Sequence, residues 1–97
     1  MERVGGVRLS GWVRERVNEL WRLRFEILME ELEKSGVYDI RGDSFEELAE
    51  RVVRGMKAHE RAARRWMEIL EKEPEEVRRA MARIIYSLLS LVYDQRL

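Results

Sequence analysis

The sequence predicts an all-α protein: an antiparallel helical hairpin of two long helices plus a third helix, completing its bundle by dimerisation. Three observations predict it. Ser44-Phe45-Glu46-Glu47 has the spacing of a capping box, and Phe45, Leu48, Ala49, Val52, Met56, Ala63, Trp66, Met67 and Leu70 then fall on one stripe at helical spacing. An unbroken helical pattern runs from Trp12 to Leu32. After Pro74, the residues Val77, Met81, Ile84, Leu88 and Leu91 step four, three, four, three, which is a heptad seam.

Composition sets the outer bounds. A chain of 97 residues suits one domain, and its 45% apolar content is enough for one core. Charged residues make up 39%, with 19 basic groups against 19 acidic, so the net charge is zero. Dedicated nucleic-acid binders usually carry a positive excess that releases counterions from phosphate. Of the basic residues 16 are Arg, and there is no Thr and only one Asn and one Gln. Dense opposite charges with few thermolabile residues point to a thermophile. The absence of Cys excludes a disulfide framework, a thiolate zinc site and a Cys nucleophile. No apolar run approaches a membrane span and no signal-peptide core is present, so a cytoplasmic location is expected.

Residues 1–9 read as an extended arm, because Gly5-Gly6 makes a poor helix and Val7-Arg8-Leu9 suits a short extended piece. An arm that pairs with a second chain, followed by a helix capped at Ser10, resembles the start of ribbon–helix–helix DNA-binding proteins. That family has a short first helix and a turn, where this chain has an unbroken helical pattern.

Helix one is expected over residues 11–34. Val13, Val17, Leu20, Trp21, Ile27 and Leu28 share one face, with Leu23, Phe25 and Leu32 on its flanks. Arg24 and Glu31 fall inside that face, about two turns apart, so each needs an interhelical partner or access to water. Gly36 is the favoured terminator, as the C′ residue of the helix. A second possibility carries the helix weakly on to Arg41, with Gly42 as its cap. Either connection makes helices one and two antiparallel neighbours.

Helix two is expected over residues 45–71. Its stripe contains one polar residue, His59, the only histidine in the chain. Gly55 sits on the edge of the stripe, where a mid-helix glycine suggests a close approach of another helix. The opposite face is charged, and Arg61, Arg64 and Arg65 form a basic cluster suited either to i,i+4 ion pairs or to contact with nucleic-acid phosphate. Helix three is expected over residues 74–93. Tyr86, Leu89 and Tyr93 lie nearly opposite its seam, so the helix is apolar over most of its circumference. A single three-helix chain would leave those three uncovered, which predicts self-association through helix three, most simply as a symmetric dimer.

Arg24, Glu31 and His59 are the strongest candidate constellation, since all three are polar groups on core-facing stripes. Glu30-Glu31-Leu32-Glu33, then Val37-Tyr38-Asp39, then Met56-Lys57-Ala58-His59, resembles the two-helix metal motif of the encapsulated ferritins. The resemblance implies Glu31 and His59 as ligands for iron or another divalent metal, with Tyr38 nearby. Met56 stands where that family has its second Glu. If helix one ends near Ser35, Glu31 and His59 are roughly 15 Å apart along the axis and meet only across a subunit interface; an end at Arg41 reduces this to roughly 7 Å. The function expected is that of a small, non-enzymatic assembly or protein-interaction subunit. A ferritin-like metal-binding protein and a nucleic-acid-associated protein are the alternatives.

Overall fold

The computed structural model describes residues 3–4, 7–8 and 10–94. Gly5, Gly6, Leu9 and the side chain of Tyr93, all invoked above, lie outside the described residues. The fold is all-α. Helix α1 spans Gly11–Lys34, α2 spans Phe45–Glu71 and α3 spans Glu75–Asp94. The extended structure among the described residues is a minimal ribbon, in which β1 (Arg3–Val4) pairs antiparallel with β2 (Val7–Arg8). The extended arm therefore pairs within the chain, where the ribbon–helix–helix resemblance would have it pair with a second one.

Local chemistry explains where each helix starts and stops. Arg14 N–H donates to the Ser10 carbonyl, which opens α1. At its other end Gly36 adopts φ 73°, and its N–H donates to the Glu33 carbonyl, so Gly36 is the left-handed C′ residue. The helix therefore stops before the tyrosine, and Val37–Asp39 forms a single 3-10 turn. Ser44 caps α2 by accepting the Glu47 N–H at 3.2 Å. The reciprocal half of the capping box differs from expectation: the Glu47 carboxylate accepts from the Gly42 N–H, not from the N–H of Ser44. Gly42, at φ 79°, folds the loop back far enough to present that donor. The Pro74 carbonyl accepts from Arg78 N–H as α3 begins, with Glu75 and Glu76 at the positive end of its dipole.

Two compact units divide the chain. One comprises Met1–Leu20 and Leu70–Leu97. Its buried apolar residues are Val13, Val17, Leu20, Leu70, Val77, Ala80 and Met81. β1 lies against α3, and Arg16 on α1 holds Glu73, just ahead of α3, in a bidentate ion pair. The heptad seam is buried only at its start. Val77 and Met81 are inside, Ile84 is half-buried, and Leu88 and Leu91 are exposed.

The second unit is Trp21–Ile69, where α1 and α2 pack as an antiparallel hairpin. Trp21 meets Trp66, Glu31 meets Arg61 and Arg65, and the Ser35 carbonyl accepts from Arg54. The end of α1 thus stands near Arg54, and the first turns of α2 run past it. Ile27 and Glu31 are buried on α1, as the sequence pattern requires. On α2 the residues buried within this unit are Ala58, Ala62 and Trp66, and Leu70, at the end of the helix, is buried in the first unit. That is a different face from the apolar stripe: Phe45, Leu48, Ala49, Val52, Met56, His59, Ala63 and Met67 are all exposed. At about 100° per residue the two faces are offset by roughly a quarter turn and overlap at Trp66 and Leu70, both buried.

Candidate functional site

Glu31 is the one buried charged residue among the described residues, and α2 supplies its partners. Arg61 Nε donates to Oε1 at 3.0 Å and Arg65 Nη1 to Oε2 at 2.7 Å. These are successive turns of one helix face, so both guanidinium groups reach the same carboxylate. Lys34 approaches the same carboxylate at 4.0 Å, and its closer partner is Glu30 at 2.9 Å. The Arg65 and Arg61 hydrogen bonds hold the Glu31 carboxyl below its ordinary range, against the opposing effect of burial. Glu30 is lowered in the same way, chiefly by Lys34 and then by Arg65. Beside this cluster lies an open groove of about 440 Å³, lined by Glu31, Lys34, Ser35, Arg54, Lys57 and Arg61.

Arg24 is satisfied differently. Its guanidinium lies 5.8 Å from the Trp21 ring centroid and 5.5 Å from that of Trp66. The two rings are 5.1 Å apart and tilted by 40°. A planar cation over aromatic faces is attracted by their quadrupoles and remains only half desolvated. The sequence pattern asked for a partner for Arg24; Trp21, one turn earlier on the same face, and Trp66 on α2 answer it.

Glu31, Arg61 and Arg65 come together, and His59 does not join them. His59 is exposed on α2, two residues from Arg61 and therefore roughly 160° around the helix from it. The axial separation expected between Glu31 and His59 is not what divides them, since Glu31 already reaches Arg61; rotation of α2 does. Tyr38 is exposed beyond the end of α1. No group of three His, Cys, Asp or Glu side chains suited to a metal ion occurs among the described residues. The three arginines of the basic cluster are each engaged with carboxylates, Arg64 through Glu60 at 2.8 Å. A phosphate arriving there would compete with those partners.

Gly55 has no close neighbour: a Cβ built on it would meet nothing within 4 Å. The expected close approach at Gly55 is absent, and the small residues buried on α2 are Ala58 and Ala62, one and two turns further on. No helix among the described residues is long and apolar enough to cross a membrane. Comparison with protein-family models, with curated proteins and with solved structures finds no match.

Proposed function

We propose that this chain is a small, non-enzymatic helical interaction subunit that associates through the second half of α3. The observation that carries this reading is the exposure of Tyr86, Leu88, Leu89 and Leu91, each half or more exposed on consecutive turns. Tyr86 and Leu89 lie nearly opposite Leu88 and Leu91, so the second half of α3 is apolar over most of its circumference, which favours a partner. Arg79 and Arg83 border a groove beside Tyr86, and polar residues at the edge of an apolar patch are the usual anatomy of an interface. The charged clusters support a structural role in the same reading, because their carboxylates and cations neutralise one another.

Sedimentation equilibrium tests it. Association through α3 alone gives twice the mass of one chain, and Leu89→Glu is expected to abolish that step. A wild-type mass of one chain at the highest concentration reached would remove the case for self-association through α3.

A further inference from the structure

We propose that the hairpin of α1 and α2 carries a second docking surface, separate from α3, and that its occupant is another copy of the same hairpin. The hairpin has two edges. Glu31, Arg61 and Arg65, with Glu30 and Lys34, mark one; the Trp21–Trp66 contact marks the other. Because the helices are antiparallel, residues advancing round α1 from Glu31 toward Trp21 and round α2 from Arg61 toward Trp66 turn to the same side. The uncovered stripe of α2 lies on this tryptophan edge, and so does Phe25 of α1.

The size of the surface fits a second protein chain. Phe25, Phe45, Leu48, Val52, Met56 and Met67 are between 46% and 79% exposed. With aromatic side chains at 150–250 Å² each and aliphatic ones somewhat less, they present roughly 700 Å² per chain, close to the ~800 Å² per partner of a standard interface. A patch of that extent exceeds what isolated chains usually leave in water.

The chemistry selects a copy of itself. His59 is the one polar residue of the stripe and no Lys, Arg, Asp or Glu occupies it, so an apolar protein surface matches it better than a charged ligand or peptide. The zero net charge removes long-range repulsion between copies. A two-fold axis needs only one patch facing itself, and two hairpins face to face make a four-helix bundle. The stripe from Phe45 to Met67 has its middle at Met56. An antiparallel α2–α2 contact therefore brings Met56 of each copy near the axis, with His59 one turn away.

The test uses the full chain in two measurements. Met56→Glu lies on an exposed position, so circular dichroism should be unchanged while the dissociation constant rises at least about tenfold. Met56→Cys, near the axis in a chain with no other cysteine, should form an intermolecular disulfide under mild oxidation, and Arg64→Cys should not. A wild-type species of four chains that falls to two with either Met56→Glu or Leu89→Glu would show both surfaces in use. Association that survives Met56→Glu and is lost with Leu89→Glu overturns the hairpin surface and leaves α3 standing. Association lost with Met56→Glu alone supports the hairpin surface and removes the α3 reading. A wild-type chain that sediments as a monomer and a Met56→Cys variant that gives no cross-link overturn the proposal.

Discussion

Arg16 holds Glu73 through two parallel hydrogen bonds of 2.7 Å, Nε to Oε1 and Nη2 to Oε2. The pair closes a separation of 57 residues, and the Glu73 side chain is only 11% exposed. Bidentate geometry makes this the strongest class of ion pair, but Arg16 is 39% exposed and its share is screened by water. Glu73→Gln is expected to lower stability by about 1 kcal/mol, read as a shift in the urea midpoint without a change in slope.

Glu31 behaves asymmetrically with its partners. Its side chain is 7% exposed, whereas those of Arg61 and Arg65 are 48% and 40% exposed. Removing the carboxylate frees two arginines that can turn to water; removing both arginines leaves a buried anion. Arg61→Met/Arg65→Met should therefore lower the Tm more than Glu31→Gln does. Acid titration gives a second reading of the same group. The folded pKa values of Glu31 and Glu73 both lie below the ordinary glutamate value of 4.5. Each contributes stability above that value and loses it as pH falls through its folded pKa. Glu31→Gln/Glu73→Gln should flatten the acid limb of a stability–pH profile and leave its shape above pH 5 unchanged; an acid limb as steep as that of the wild type would contradict the assignment.

Two glycines should respond in opposite directions. Gly36 sits at φ 73°, and an added Cβ would lie 3.1 Å from Arg54 Nη1. Gly36→Ala is expected to cost about 1 kcal/mol, mostly as backbone strain. Gly55 is helical with open space around it, so Gly55→Ala should stabilise by about 0.5–1 kcal/mol. Thermal melts of the two variants should move to opposite sides of the wild type.

Arg24 offers a spectroscopic test. Replacing it with Met keeps the stem and removes the cation above Trp21 and Trp66. The loss should be about 1 kcal/mol, and tryptophan emission should change because the ring environment changes. An unaltered spectrum with unaltered stability would mean that the stacking contributes nothing in solution.

Helix positions and the core face of α1 were legible in the sequence, because caps, glycine and periodicity all agreed there. The buried face of α2 was not. Hydrophobic ranking favours Phe45, Val52 and Met56 over Ala58 and Ala62, yet alanines let two backbones approach closely and large side chains hold them apart. What fixes the rotation of α2 is a set of partners on the other helix: Trp21 for Trp66, and Glu31 for Arg61 and Arg65. Those pairings depend on which residues end up level across the hairpin, and that depends on how far α2 runs past Ser35. Periodicity carries no such information. The same limit explains His59, which belongs to the apolar stripe as expected but not to the core.

Four surface ion pairs share one arrangement. In Glu30–Lys34, Glu50–Arg54, Glu60–Arg64 and Glu75–Arg79 the acid precedes the base by four residues, the favourable order for a helix. None of them depends on a tertiary contact, so each can form in a chain that has not yet collapsed. Helix nucleation is the costly step, and these staples offset part of it before any core exists. The molecule thus meets its packing decision with segments already biased toward helix, and that decision includes their rotation about their own axes.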